Sequence, residues 1–263
     1  MTSGADERRD DGERQAITRS APTLRGPVTM NQDWRDLTFL HWAVAPRSVE
    51  LFMPPGVRPD SFEGRTYVGL IPFRMVDAGF GRRQSVPWAG TFLETNVRLY
   101  SVDRTGRRGI VFLSLDTDRL VVVAGARAAL GLPYRWARMS HAVRDRGATQ
   151  EHTYQAKLRW ARHGARSRVT IRVGAPRTAT PLDDFVSARW GLHHGRFGRT
   201  TFIPNAHDPW PLREAEVVHL DDELVRSVGL GDLASRPPDH VAFSSGVHAE
   251  FGRPTSATKP LAH

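Results

Sequence analysis

The stretch ETNVRLYSVDRTGRRGIVFLSL, residues 94–115, decides the fold. Residues 94–100 alternate polar with apolar side chains, and residues 109–115 form an apolar run with β-branched and aromatic members. Both patterns are typical of β-strands. The turn-forming segment DRTG, residues 103–106, lies between them and predicts that the two strands form an antiparallel hairpin.

Outward from this hairpin, the same alternation recurs along the chain. Residues 66–73 predict another strand, and residues 154–160 and 168–173 predict a second hairpin with one apolar and one basic face. Helices are fewer, and their patterns cover residues 46–53, 118–130, 181–190 and 221–228. This balance predicts a mainly β (α+β) fold, with a mostly antiparallel sheet and a few peripheral helices.

Composition narrows the class of protein. The chain has 263 residues, of which 40% are hydrophobic and 25% charged, as in ordinary globular proteins. It has no cysteine, which excludes disulfides, thiolate nucleophiles, iron–sulfur clusters and cysteine-ligated zinc. No apolar run follows the charged N-terminal residues as a signal peptide requires, and the most apolar stretch, residues 109–131, is interrupted by two aspartates and two arginines, so we expect a soluble cytoplasmic protein with no membrane partner.

The positive charge is concentrated in one region. The formal net charge is +9, and residues 126–177 hold 12 basic and two acidic residues, which leaves the rest of the chain near neutral. Such a region is typical of nucleic-acid contact, but also of a solvated sheet face in an arginine-rich protein. Both interpretations stay open, and nucleic acid is the less favoured one.

The two ends of the chain differ from its middle. Residues 1–26 carry five acidic and five basic side chains but almost no large apolar ones, so we expect a disordered leader. Residues 27–252 contain no long linker and no internal repeat, which predicts a single domain. Residues 253–263 are expected to form a short disordered tail.

Common catalytic signatures are missing from the sequence. It contains no Walker loop, no G-x-G-x-x-G after a strand, no G-x-S-x-G and no H-E-x-x-H. His193, His194 and His207 invite a metal interpretation, but neighbouring residues of a strand point to opposite faces. We therefore predict no metal site and no cofactor.

Two strand segments carry candidate binding residues. Glu94, Asn96 and Arg98 share one face of their strand, so they line a cavity if that face is interior and form a surface ion pair if it is exterior. The alternation alone does not decide between these cases. His41 and Trp42 are neighbours, so one of them points inward, and an inward imidazole needs a hydrogen-bond partner or a ligand.

Several short motifs resemble the YqjF-like family, an uncharacterised bacterial family within the acetoacetate decarboxylase-like superfamily. The motifs, in chain order, are Gln32-x-Trp34-x-x-Leu37, Phe39-Leu40-His41-Trp42, Leu51-Phe52-Met53-Pro54, Gly69-Leu70-Ile71-Pro72-Phe73, Glu94-Thr95-Asn96-Val97-Arg98 and Pro209-Trp210-Pro211-Leu212. The resemblance covers about residues 27–251. It implies a cone-like antiparallel β-barrel with a central cavity and a few outer helices.

The resemblance also shows what is missing. The decarboxylases of this superfamily use a Schiff-base lysine, and Tyr134 and Arg135 occupy the two corresponding lysine positions here. The only lysines are Lys157, which is predicted to point outward, and Lys259 in the tail. Glu94 resembles a carboxylate of the decarboxylase site, and Arg35 is a weaker match to its arginine. Schiff-base decarboxylation is therefore not expected.

These observations lead to three hypotheses. The first is a barrel that binds a small anionic or carbonyl-bearing organic molecule and acts on it without a lysine. The second is a binding or sensing module without turnover. The third is a nucleic-acid-associated protein that uses residues 126–177. The predicted catalytic residues are Glu94, Tyr134 and Arg135. The predicted substrate-binding residues are Arg35, His41, Trp42, Asn96 and Arg98. We expect Arg135 and Tyr134 to lie in one cavity, where Arg135 lowers the pKa of Tyr134. The sequence is also compatible with an oligomer.

Overall fold

The computed structural model describes residues 14–82, 84–159 and 164–257. The strands are β1 (Met30–Val44), β2 (Val57–Pro59), β3 (Thr66–Phe80), β4 (Gln84–Ser85), β5 (Phe92–Asp103), β6 (Arg108–Thr117), β7 (Tyr134–Arg146), β8 (Thr149–Leu158), β9 (Arg166–Pro176), β10 (Gly191–Arg196), β11 (Arg199–His207), β12 (Leu212–Asp222), β13 (His240–Phe251) and β14 (Thr255–Ser256). The α-helices are α1 (Leu120–Leu130) and α2 (Pro181–Ser187). The mainly β prediction is confirmed. No helix in these described ranges is long and apolar enough to cross a membrane.

Both predicted hairpins are present. Strand β5 pairs antiparallel with β6, and β8 pairs antiparallel with β9. The sheet is not antiparallel throughout, because β6 pairs in parallel with both β7 and β10. Helix α1 makes the crossover from β6 to β7 that a parallel pairing requires.

The strand pairings close two rings that share a wall. The larger ring runs β1–β3–β5–β6–β7–β8–β9–β12–β13 and back to β1, and the smaller runs β1–β3–β5–β6–β10–β11–β13 and back to β1. Because successive side chains of a strand point to opposite faces, each shared strand supplies alternate residues to the two interiors. On β5, Val97 and Leu99 belong to the apolar core of the larger ring, while Asn96 and Arg98 face the smaller ring.

The predicted helices form with altered bounds. Helix α1 ends at Gly131, which adopts φ +73° and donates its N–H to the Arg127 carbonyl. Residues 46–53 form two 3₁₀ turns (Pro46–Ser48 and Glu50–Phe52) instead of one helix. Residues 221–222 extend strand β12, and an irregular turn follows because Gly229 adopts φ +92°.

The described part of the leader lies against the domain. Ile17 packs on the apolar cluster around Tyr67 and Phe185, and Arg19 forms an ion pair with Asp184. The Gln15 N–H donates to the Gly106 carbonyl. Residue 26 therefore does not mark the first contact with the domain, although the predicted domain bounds themselves stay a prediction. Residues 1–13, 258–263 and with them Lys259 lie outside the described residues.

Candidate functional site

A cavity of about 90 Å³ lies inside the smaller ring. Apolar side chains from β1, β3, β6, β10 and β11 form most of its wall. Its polar side chains are those of Gln32, Glu94, Asn96, Arg98, Asn205 and His207, together with Tyr134, Ser187 and Arg189. The face of β5 that carries Glu94, Asn96 and Arg98, which the alternation alone left undecided, therefore lies toward this cavity.

Glu94 and Tyr134 meet in this cavity. Tyr134 begins β7, where its phenol donates a hydrogen bond of 2.9 Å to Glu94 Oε2. Both side chains are buried, and Glu94 exposes only 2% of its surface. Burial raises the pKa of Glu94 from 4.5 to about 8, against the opposing effects of the hydrogen bonds from Tyr134 and Asn96. Glu94 therefore carries a proton at neutral pH.

The pKa of Tyr134 moves in the opposite direction from the predicted one. Burial, and then the neighbouring Glu94, raise the Tyr134 pKa well above 10. A phenol with a raised pKa serves as a hydrogen-bond donor and not as a base at neutral pH. The titrating member of the pair is thus Glu94, and Tyr134 holds its carboxyl group in place.

Arg135 does not share the cavity with Tyr134, and the prediction of a joint site is wrong for this residue. Adjacent strand residues point to opposite faces, so Arg135 faces the larger ring. There its Nε and Nη2 donate to both carboxylate oxygens of Asp116 at 2.5 and 2.8 Å, and further bonds reach Ser114 and Ser227. This bidentate pair occupies the guanidinium and keeps it from contacting a ligand beside Glu94.

Arg35 also lies outside the cavity, contrary to its predicted role. Asp36 adopts φ +53° and forms a bulge in β1, so that Trp34 and Leu37 both face the cavity. Arg35 points the other way, exposes 45% of its side chain and pairs with Asp33 at 3.2 Å.

His41 and Trp42 stand behind the cavity wall. Trp42 is fully buried in the core of the larger ring and donates its indole N–H to the Arg236 carbonyl. His41 is also fully buried, with its Nε2 2.6 Å from the Tyr100 hydroxyl and its Nδ1 2.9 Å from Nδ1 of His240. Burial, then His240 and Arg98, lower the pKa of His41 well below 6.5, so the imidazole is neutral.

A chain of hydrogen bonds links this histidine to the cavity. Arg98 Nε donates to the Tyr100 hydroxyl at 3.1 Å, and His240 Nε2 lies 2.8 Å from Asp183 Oδ1. These contacts join His41, Tyr100, Arg98, His240 and Asp183 into one buried network, and the Tyr100 hydroxyl also donates to the Val186 carbonyl at 2.9 Å. His41 thus positions Arg98 through Tyr100 without contacting the cavity itself.

Arg98 and Arg189 bring two guanidinium groups to the same wall. Their Cζ atoms lie 5.5 and 5.1 Å from the centre of the Tyr100 ring. Arg98 also donates to the Val186 carbonyl at 2.9 Å and forms no salt bridge with any described residue. Arg189 follows α2, is 4% exposed and donates through Nη1 to Asp60 Oδ2 at 2.6 Å.

Positive charge exceeds negative charge around these two arginines. Asp60, the acid that pairs with Arg189, also pairs with Arg108 at 2.5 Å and Arg14 at 3.8 Å. One carboxylate therefore serves three guanidinium groups, and Arg98 adds a fourth cation nearby. A low-dielectric site with unbalanced cations favours the binding of an anion.

Three polar atoms on the cavity wall have no hydrogen-bond partner among the described residues. They are Asn96 Oδ1, Asn205 Oδ1 and Arg189 Nη2, and all three are buried. An unsatisfied buried donor or acceptor costs free energy, so such atoms indicate a place for a polar ligand or for water. Their combination offers a ligand both acceptors and a cationic donor.

Aromatic rings close another side of the cavity. The Trp34 and Trp210 rings stack with an interplanar angle of 9°, and His207 packs against both. Burial lowers the pKa of His207 to about 4, and its Nδ1 bonds the Asp208 carbonyl at 2.6 Å. The Nδ1–H is therefore the donor of this bond, which leaves Nε2 of a neutral imidazole as an acceptor.

Arg189, Asn205 and His207 were not predicted from the sequence as ligand-contacting residues. Arg189 depends on Asp60, which lies 129 positions away in sequence, so no local pattern indicates its burial. Asn205 and His207 alternate along β11, and this spacing was the signal that could have found them. His193 and His194 point to opposite faces as expected, and the described residues contain no group of three metal-ligating side chains.

Comparisons with known proteins agree with this architecture. The model of the DUF2071 family, described as an uncharacterized conserved protein, matches residues 31–248. The chain belongs to this family. It is 30% identical over 220 residues to the uncharacterized protein YqjF of Bacillus subtilis, covering 83% of this chain and 89% of that one. The resemblance to the YqjF-like family is thereby confirmed.

Solved structures share the fold at low sequence identity. The enduracididine biosynthesis enzyme MppR complexed with pyruvate matches with a TM-score of 0.56 and 14% identity, over 89% of this chain and 91% of that one. The acetoacetate decarboxylase of Legionella pneumophila matches with a TM-score of 0.55 and 11% identity, over 97% of both chains. The chain therefore has an acetoacetate decarboxylase-like fold.

Proposed function

We propose that the cavity of the smaller ring binds a small organic anion bearing a carbonyl group, and that the protein acts on this compound without forming a Schiff base. The observation that carries the proposal is the pair of guanidinium groups, Arg98 and Arg189, on the wall that also holds the protonated Glu94. Arg189 Nη2 has no partner among the described residues, so a ligand carboxylate would satisfy it.

The size of the cavity suits a compound of this class. A volume of about 90 Å³ admits roughly six to nine water-sized groups at 10–15 Å³ each. A three- or four-carbon oxo acid has about this many non-hydrogen atoms. The stacked Trp34–Trp210 pair and the apolar strand residues would contact its carbon chain.

Glu94 would supply the acid chemistry. With its carboxylate bound by the arginines, a ligand would place its carbonyl oxygen where the Glu94 carboxyl group can donate a hydrogen bond. When the carbon next to the carbonyl loses a proton to water, the electron pair of the broken C–H bond moves to that oxygen, which takes the Glu94 proton and gives an enol. The resulting Glu94 carboxylate accepts the hydrogen bond of Tyr134 and takes a proton back from the product or from water.

None of the described residues places an amine in the cavity, where it could form a Schiff base with the ligand. Lys157 lies on the outward face of β8, exposed and away from the cavity. Lys259 is outside the described part of the chain. This supports a lysine-independent reaction, and it equally supports the alternative of a binding module without turnover.

The likeness to MppR selects the first probe. That enzyme has been solved in complex with pyruvate, which is a three-carbon 2-oxo acid. Pyruvate, acetoacetate and a longer 2-oxo acid form a panel for isothermal titration calorimetry with the purified full chain. We expect saturable binding of at least one member.

Matched variants test the role of the arginines. Arg98→Gln removes a cation from the cavity wall and should weaken binding by about 10- to 160-fold, which corresponds to a charge-assisted hydrogen bond of about 1.5–3 kcal/mol. Arg35→Gln removes the same charge from the outer face and should leave affinity unchanged. If both variants weaken binding equally, or if no member binds at millimolar concentration, the proposal fails.

Turnover separates an enzyme from a binding module. Proton NMR of each bound compound over time reports either its conversion or solvent exchange next to the carbonyl. If Glu94 is the acid, Glu94→Gln abolishes this conversion while binding persists. Binding without conversion or exchange for every ligand would favour the non-catalytic module.

A further inference from the structure

The basic region has a specific arrangement on the outer face of the larger ring. Arg138 of β7 lies directly opposite Lys157 of β8, and Lys157 lies directly opposite Arg166 of β9. All three residues are exposed. They form a row of three cations across three strands, which we call the basic row.

The basic row lacks the compensation that a neighbouring row has. Further along the same face, Arg144, Glu151, Arg172 and Glu216 lie side by side across four strands with alternating charge. Glu151 and Arg172 form an ion pair at 3.1 Å, and Arg172 reaches Glu216 at 3.0 Å. By contrast, the side chains of the basic row form no ion pair with any described residue.

Two like-charge pairs in direct opposition weaken a sheet instead of stabilising it. The nearby Glu223 bonds the Arg166 main-chain N–H at 3.0 Å and not its guanidinium. The row is therefore an unbalanced arrangement that a bound anion would relieve.

The surroundings of the basic row form a groove of about 560 Å³. Gln155 and Arg168 also line it and offer amide and guanidinium donors, while the Ser140 hydroxyl donates to Gln155 Oε1 at 3.2 Å. Asp221 stands at the far edge, opposite Arg168. Groups of this kind bind phosphate oxygens, and arginine does so through two parallel hydrogen bonds.

A cation–π pair, Arg159 and Trp136, lies on the same face next to the basic row. Arg159 N–H donates to the Trp136 carbonyl, and the Arg159 guanidinium lies 4.4 Å from the centre of the Trp136 ring. Trp136 and Arg138 are two positions apart on β7, so they share a face. Aromatic rings and arginines next to rows of cations are the groups by which sheet surfaces hold single-stranded nucleic acids.

We propose that this groove binds the phosphate backbone of a single-stranded nucleic acid. The row spans two interstrand distances, roughly 10 Å, which is enough for about two or three consecutive phosphates. None of the large apolar side chains that the described residues expose belongs to the groove, so it lacks the anchors of a membrane-binding surface. The surface is separate from the cavity of the smaller ring, and its test is independent of the proposed function.

The test is fluorescence anisotropy of a short labelled single-stranded oligonucleotide with the full chain at increasing salt. Three phosphate contacts predict an affinity loss of roughly 20-fold between 50 and 200 mM salt, from a slope of about −0.7 per contact. The triple variant Arg138→Gln, Lys157→Gln, Arg166→Gln should lose binding and most of this salt dependence. The control triple variant Arg144→Gln, Arg146→Gln, Arg172→Gln removes the same charge and should retain the binding.

The melting temperatures of both triple variants show whether a loss of binding comes from a loss of folding. Because the three charges of the basic row repel one another and form no ion pair with a described residue, its triple variant should melt at or above the temperature of the parent protein, whereas the control loses ion pairs and should melt lower. The proposal is overturned if the two variants bind equally well, or if the parent does not bind at 50 mM salt. It is also overturned if polyglutamate or phosphatidylserine vesicles bind to the row more tightly than the oligonucleotide does.

Discussion

The protonated state of Glu94 makes a prediction about stability that is independent of any ligand. The folded protein holds a proton on Glu94 up to about pH 8, whereas the unfolded chain releases it near pH 4.5. Between these values the unfolded state binds fewer protons, so stability must fall as the pH rises. The slope is about 1.4 kcal/mol per pH unit for one proton.

The size of the effect follows from the two pKa values. Between about pH 5 and pH 8.5, Glu94 should lower the free energy of unfolding by about 4 kcal/mol. Glu94→Gln keeps the shape and the neutral charge of the protonated acid and cannot titrate. The stability of Glu94→Gln relative to the parent should therefore rise by about 4 kcal/mol across this range.

Urea unfolding followed by tryptophan fluorescence measures both proteins at each pH. The difference between them cancels the other titrating groups, which both chains share. If the two stability curves run parallel from pH 5 to pH 8.5, Glu94 is ionised in the folded protein and its role as an acid is refuted. A carbon NMR titration of the Glu94 carboxyl group gives the same pKa without unfolding the protein.

Three further predictions concern other parts of the molecule. Borohydride reduction in the presence of acetoacetate should leave no adduct on Lys157, since this residue is exposed on β8, and mass spectrometry of the digested protein would detect one. His41→Leu should destabilise the fold by about 1–3 kcal/mol and weaken anion binding, because Tyr100 loses its hydrogen bond with His41 and holds Arg98 less firmly. Thermal unfolding measures the first effect and calorimetry the second. Deleting residues 1–26 should lower the melting temperature by several degrees, because the Arg19–Asp184 ion pair and the contacts of Ile17 are lost; an unchanged melting temperature would show that these contacts contribute nothing.

The sequence was informative for several strands that have one apolar face. The alternation in residues 94–100 and 168–173 predicts strands that the structure contains. Strand β7 was missed because its inward residues include small and polar side chains such as Ala137 and His141, which weaken the alternation. Periodicity detects a strand through its apolar face, so a strand with a mixed inner face escapes it.

The cavity was predictable only in part, for a different reason. Glu94, Asn96 and Arg98 belong to one strand face, and a local pattern is enough to group them. Arg189 is held in the site by its hydrogen bond to Asp60, and His207 is held there by packing against Trp34. Both contacts join distant parts of the chain. Long-range contacts of this kind depend on how the two rings close, which no local spacing encodes.

The positions of Tyr134 and Arg135 illustrate how strand geometry divides two neighbouring residues between two environments. Tyr134 enters the smaller ring and holds a carboxylic acid that burial keeps protonated, while Arg135 enters the larger ring and neutralises the buried Asp116. If Arg135 stood beside Glu94 instead, its charge would favour the ionised carboxylate and remove the acid. The cationic groups that do line the cavity, Arg98 and Arg189, are held against Tyr100 by partners of their own. The cavity can therefore present two cations and a proton donor together, which is the combination that a carbonyl-bearing anion requires.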